Sequence, residues 1–107
     1  MQNISIIIPV YNEAENIIKL IERIQRAFSG KQNAHEIIII DDGSTDGTGE
    51  ILQNLARQDK RIRLCVQANK GSAAALNRAI GLSRGQFIAQ MDADDIALPE
   101  RLHRQVS

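Results

Sequence analysis

Cysteine, proline and aromatic residues are all scarce in this sequence. A single cysteine, Cys65, excludes an internal disulfide framework. There is no tryptophan, and the aromatics are Tyr11, Phe28 and Phe87, so any core must be aliphatic. Net charge is absent as well: 13 basic residues balance 13 acidic ones. That balance supplies no basic field to attract nucleic acid or an anionic membrane surface. Long hydrophobic runs are missing too. Aliphatic runs such as Ile6-Ile7-Ile8 and Ile37-Ile38-Ile39-Ile40 fall far short of the roughly 20 residues of a membrane span. No charged, apolar, then small-residue signal pattern opens the chain, so a cytoplasmic soluble domain is expected. What is present is isoleucine, 17 residues of it in a chain of 107. That length is the size of one domain and leaves no room for two.

Short aliphatic runs alternate with segments of helical period. Ile4 to Ile8 reads as a strand closed by Pro9, which cannot donate to a sheet ladder. Asn12 is expected to cap a helix with Glu15 reaching back to it, and Ile17, Ile18, Ile21, Ile24 and Phe28 then recur at helical spacing as far as Gly30. Ile37 to Ile40 is uniformly β-branched, as in a parallel strand covered on both faces. Ser44 to Thr48 is a turn and cap region, followed by an amphipathic helix carrying Ile51, Leu52, Leu55 and Ala56. Arg61 to Val66 alternates, which predicts a strand near an edge. Ser72 to Ser83 is a helix of small residues, and Phe87-Ile88-Ala89 with Met91 is a fourth strand. Pro99 fits the first position of a last helix with Leu102 and Val106. The βαβαβαβα pattern predicts an α/β fold, a Rossmann-like parallel sheet with helices on both faces.

In such sheets ligands bind beyond the carboxyl ends of the strands. Those ends carry Pro9 to Glu13, Asp41 to Asp46, Gln67 to Ser72, and Asp92 to Asp95. Of the seven aspartates, five (41, 42, 92, 94 and 95) gather at two of these ends. Like charges on one rim need hydrogen bonds or a cation to neutralise them. In an extended segment Asp92 and Asp94 project to the same side, and their hard oxygens suit Mg²⁺ or Mn²⁺ carried by a diphosphate. Tyr11 either fills a gap at the rim or offers a face on which a nucleobase stacks. Asp42 either shapes the Asp-Gly-Ser turn or accepts a hydrogen bond from a base N–H. Asp46 reads as a cap or turn former, and Gly43 and Gly47 as backbone geometry. Lys70 is a solvated loop lysine or, beside Gly71 at a helix start, a phosphate contact. His35 and His103 lack metal-ligand spacing and read as surface residues. Cys65 reads as a packed thiol.

Together, Ile6 to Glu13, Ile40 to Thr48, Asn69-Lys70-Gly71 and Met91 to Asp95 resemble the inverting family 2 glycosyltransferases of GT-A fold, over essentially the whole chain. The resemblance implies a nucleotide-sugar donor site, most simply for a UDP-sugar. Pro9 and Tyr11 would meet the base, with Tyr11 stacking on it, and Glu13 would lie near the ribose. Asp42 would bind the base edge, and Asp92 would approach the ribose or diphosphate. Asp94 would coordinate Mg²⁺ or Mn²⁺. Asn69, Lys70, Gly71 and Asn77 border the donor in the family without an individual role that transfers here.

Family members continue for about as many residues again, with the acceptor pocket and catalytic base downstream. Residues 1–107 are therefore expected to be the donor-binding portion, with the acceptor-binding portion absent and no residue, Asp95 included, assignable as base. The acceptor in the family is a glycan or a lipid-linked saccharide, which places the full protein in the cytoplasm or at the inner face of the membrane. Strand four is expected at an exposed edge that invites pairing with a second copy. A non-catalytic nucleotide-binding or regulatory module of the same fold is the alternative. A dinucleotide-binding dehydrogenase is disfavoured because the first strand ends without a glycine-rich turn. A receiver-like domain would not explain Tyr11 together with Asp92 and Asp94.

Overall fold

The computed structural model describes residues 4–27 and 35–91. In chain order these form β1 (Ile4–Val10), α1 (Ile17–Ala27), β2 (His35–Asp42), α2 (Thr48–Gln58), β3 (Ile62–Gln67), α3 (Ser72–Leu82) and β4 (Phe87–Gln90). The four strands make one parallel sheet in the order β3-β2-β1-β4. The chain steps outward from β1 to β3, and α3 then carries it back to the other side of β1. Strand order therefore reverses between β1 and β4, which marks the crevice at their carboxyl ends.

Position in the sheet explains the two kinds of strand. The paired strands β1 and β2 are central, and Ile4, Ile6, Ile7, Ile8 and Ile37 to Ile40 are all buried. Ile4, Ile6, Ile8, Ile37 and Ile39 face α1 and α2 through Ile17, Leu20, Ile21, Ile24 and Leu52. Ile7, Ile38 and Ile40 face α3, where Ala75 and Ala79 let the helix backbone approach closely. The parallel sheet with helices on both faces is thus as expected. The alternating segment is the edge strand β3, with Ile62 buried and Val66 exposed. At the opposite edge β4 buries Ala89 but leaves Phe87 and Ile88 nearly half exposed. The helix expected after Pro99, and Phe28 and Gly30 at the expected end of the first helix, lie outside the described residues.

Two local expectations are corrected. Pro9 does not close β1: the strand runs on to Val10, with Pro9 in register with Ile40. The Ile7 carbonyl accepts from Met91 N–H, so odd-numbered residues of β1 point their backbone groups toward β4. The missing donor of Pro9 falls on that side, and the β1–β2 ladder continues through Ile8 and Val10. Nor does Asn12 cap the first helix. Helix α1 starts at Ile17, where the Glu13 carbonyl accepts from Asn16 and Ile17 N–H. Asn12 instead takes a left-handed conformation, φ 53°, and serves a neighbouring loop.

The amino ends of the strands are tied by one polar clamp. Ser5 Oγ donates to Glu36 Oε2 at 2.6 Å and accepts from Gly85 N–H at 2.7 Å. Glu36 Oε2 also accepts from Arg84 N–H at 2.7 Å, and Oε1 pairs with Arg63 at 3.0 Å. The Arg63 guanidinium reaches on to the Leu82 carbonyl at 2.7 Å. The turn from α3 into β4 is thereby fastened to β1, β2 and β3 at once. Burial raises the Glu36 pKa, but the hydrogen bonds from Ser5 and Arg84 N–H, with Arg63, outweigh it and hold the carboxyl below its ordinary value.

Two outcomes follow from this clamp. A Cβ at Gly85 would stand 2.6 Å from Ser5 N and 2.8 Å from Ile4 C, both backbone atoms. Gly85→Ala is expected to destabilise the fold by about 1–3 kcal/mol in denaturant titration, as overpacking does. Because the Glu36 pKa is lower in the folded state, its contribution is present above its unfolded value and disappears as pH falls through its folded value. Glu36→Gln should flatten the acid limb of the stability–pH profile, and an unchanged limb would refute the assignment.

Candidate functional site

The carboxyl ends of β1, β2 and β3 feed three loops that interlock through side-chain-to-backbone hydrogen bonds. Asn12 Oδ1 accepts from Thr45 N–H at 2.7 Å while Asn12 N–H donates to Ser44 Oγ at 2.9 Å. Glu13 N–H donates to Thr48 Oγ1 at 3.1 Å, and Ala14 N–H to Asp46 Oδ2 at 3.3 Å. These four bonds zip the β1–α1 loop to the β2–α2 loop. Asp46 also accepts from the N–H and the hydroxyl of Thr48 at the start of α2. The Thr48 hydroxyl first, and the Thr48 and Ala14 N–H groups after it, keep the Asp46 carboxyl below the usual carboxylate range. Of the cap or turn role expected for Asp46, the structure shows the turn: Gly47, at φ 91°, occupies the capping position, and Asp46 accepts from Thr48 N–H two residues on.

Asp41 and Asp42 are both buried, and they divide the work of this rim. Asp41 Oδ1 accepts from Ser44 N–H at 3.0 Å, which makes Asp41, one residue earlier than expected, the former of the Asp-Gly-Ser turn. Asp42 reaches across to the β3–α3 loop. Its Oδ1 accepts from Gln67 Nε2 at 2.9 Å and Lys70 N–H at 2.8 Å, and its Oδ2 accepts from Gly71 N–H at 2.9 Å. The Gln67 amide contributes most to lowering the Asp42 pKa, followed by the Lys70 N–H; burial opposes them, and the Gly71 N–H adds a smaller lowering. A negative carboxylate thus sits where the positive end of the α3 dipole emerges, a placement that stabilises both.

Between these loops lies a shallow pocket of about 80 Å³ lined by Pro9, Val10, Tyr11, Asp42 and Ser72. Three of the sequence-predicted site residues, Pro9, Tyr11 and Asp42, meet there. Tyr11 is 48% exposed, so its ring is presented to solvent at the mouth and does not fill the core rim. Glu13 does not line this pocket; its carboxylate accepts from Asn16 Nδ2 at 3.1 Å at the start of α1. Asp92 and Asp94 lie outside the described residues, as does Asp95. Among the described residues no group of three His, Cys, Asp or Glu side chains is placed to hold a metal ion. Gln67 and Ser72 belong to the site without having had a role in the sequence reading. Gln67 is the register partner of Asp42, and that pairing is visible only once strand order is known.

Residues 5–107 match the family model for glycosyl transferase family 2. The chain belongs to this family. It is 41% identical to the glycosyltransferase GlyG of Streptococcus pneumoniae over 107 residues, covering 96% of this chain and 35% of that protein. The chain therefore spans about a third of the length of this curated relative. Among solved structures, the Staphylococcus aureus TarS fragment 1–349 in complex with UDP-GlcNAc superposes with TM-score 0.78 at 25% identity, over 99% of this chain and 30% of that one. The mannosyltransferase PcManGT of Pyrobaculum calidifontis, in complex with GDP-Man and Mn²⁺, gives TM-score 0.76 at 29% identity, over 85% and 27%. The fold is of the GT-A type, the sheet-and-helix arrangement that the family's glycosyltransferases share.

At Gly43 the β2–α2 loop closely approaches the β3–α3 loop. The φ of Gly43 is 78°, and a Cβ there would lie 2.9 Å from Asn69 N. Gly43→Ala is expected to destabilise the protein by about 1–3 kcal/mol, through left-handed strain and contact with fixed backbone. Amide chemical shifts should move at Asn69 to Gly71, and a variant whose shifts and melting midpoint match the parent would disprove the contact.

Proposed function

We propose that this chain is the donor-binding part of an inverting, metal-dependent glycosyltransferase. The enzyme would transfer a sugar from a nucleotide-diphosphate sugar, a UDP-sugar by preference, to an acceptor hydroxyl on a glycan or lipid-linked saccharide. The observation that carries this reading is the pocket where Pro9, Tyr11 and Asp42 converge at the carboxyl ends of the strands. The nucleotide-sugar complexes of the structural neighbours support it.

In this reading the base stacks on the exposed Tyr11 ring and donates an N–H to Asp42. Oδ2, with one hydrogen bond against two on Oδ1, is the oxygen with acceptor capacity to spare. Pro9, with its backbone conformation fixed, shapes the pocket floor, and Glu13 stands near the ribose. Asp92 would meet the ribose or diphosphate, and Asp94 would hold Mg²⁺ or Mn²⁺, for which its hard carboxylate oxygens are chemically suited. When bound, the ion would neutralise charge on the departing diphosphate. None of these residues is assigned as the base that deprotonates the acceptor, and residues 1–107 alone are expected to bind nucleotide weakly and to transfer little or no sugar. No helix among the described residues is long and apolar enough to cross a membrane. On the family resemblance, and independently of that observation, the proposed location is the cytoplasm, or the inner membrane face for the full protein. Self-association through the half-exposed β4 edge belongs to the same proposal.

Calorimetry with UDP, with and without Mn²⁺, tests the reading. Mn²⁺ should tighten binding, and Asp94→Ala should abolish that gain while leaving the metal-free affinity unchanged. Tyr11→Ala should weaken UDP about tenfold, the scale of one lost base–aromatic stack. Affinity indifferent to Mn²⁺ would sink the metal role, and affinity indifferent to Tyr11→Ala would sink the stacking platform.

A further inference from the structure

Behind Asp42 lies a polar relay. Gln67, the last residue of β3, is the register partner of Asp42. Its amide nitrogen donates to Asp42 Oδ1 at 2.9 Å, and its amide oxygen accepts from the Arg78 guanidinium at 3.2 Å. Arg78 stands on α3, the helix whose start the same Asp42 carboxylate holds through Lys70 and Gly71 N–H. The relay is chemically directional. An arginine is donor only, so it obliges Gln67 to present oxygen outward and nitrogen inward, and the inward nitrogen suits a carboxylate that is acceptor only.

We propose that Gln67, oriented by Arg78, is a positioning residue for Asp42. By occupying Oδ1 it fixes the carboxylate plane and leaves Oδ2 for a ligand in the pocket. The inference rests on the donor-site reading for its ligand, but the contact itself does not depend on it. Neither Gln67 nor Arg78 lines the pocket, so both act through Asp42. Among the described residues, the charged groups near Asp42 include Lys70 in the loop, Arg78 behind Gln67 and Asp41 one residue back along β2. Of the contacts made by Asp42, the Gln67 amide is the one that contributes most to keeping it ionised.

The test pairs a carbon-detected NMR titration of the Asp42 carboxyl with UDP calorimetry, in the parent, Gln67→Leu, Arg78→Leu and Arg78→Lys proteins. Gln67→Leu should move the Asp42 titration upward and weaken UDP about fivefold, the effect of one ordinary hydrogen bond. Arg78→Leu should move both in the same direction by less, and Arg78→Lys, which keeps a donor, should restore them. A merely structural role would lower the melting midpoint without moving the Asp42 titration, and that outcome would overturn the proposal. So would a moved titration with unchanged UDP affinity. Failure of the parent protein to bind UDP would overturn the donor-site reading instead, and the Asp42 titration would still decide whether Gln67 positions the carboxylate.

Discussion

The pairing of β1 with β2 is the constraint from which the rest of the molecule follows. Between the Ser5–Glu36 pair at one end and the Val10–Asp41 pair at the other, every residue of both strands is aliphatic or proline. Helices cover both faces of these strands, so no polar side chain has a place along their length. Polar chemistry is driven to the two ends of the sheet. At the amino end it becomes a clamp built from Ser5, Glu36 and Arg63. At the carboxyl end it becomes the pocket rim, with Asp41 and Asp42 as its first polar residues.

The two ends differ in what their polar groups bind. The amino-end clamp closes on itself, linking protein groups on three strands and the turn before β4. The carboxyl end is also heavily bonded internally, yet it retains an exposed aromatic face at Tyr11 and a carboxylate with acceptor capacity at Asp42. That asymmetry is what a binding rim on a parallel sheet requires. The loops are held by one another, so the few groups left over are fixed in place.

Much of the fold was legible because its signals are local. Uniform β-branched runs marked the central strands, alternation from Arg61 to Val66 marked an edge, and Ala75 and Ala79 marked a helix that packs closely. That Pro9, Tyr11 and Asp42 stand at the carboxyl ends of strands was legible from the sequence, and the structure brings the three together around one pocket. The misreadings have one cause. Asn12 looked like a cap for the helix that follows it, but its partners are Ser44 and Thr45, more than thirty residues away. Pro9 looked like a strand terminator, because nothing in its neighbourhood tells which flank of the strand its missing N–H will face.

By itself, the sequence determined the alternation of strands and helices, the aliphatic core and the clustering of carboxylates at strand ends. These depend on side-chain period and on residues within a few positions of one another. Only the tertiary structure decided which carboxylate does what. Asp41 and Asp42 are adjacent and chemically identical, but successive residues of a strand point to opposite faces. One therefore turns into its own loop, and the other crosses to Gln67, Lys70 and Gly71. The partners of Asp42 lie on a different strand and helix, and the order β3-β2-β1-β4 brings them within reach.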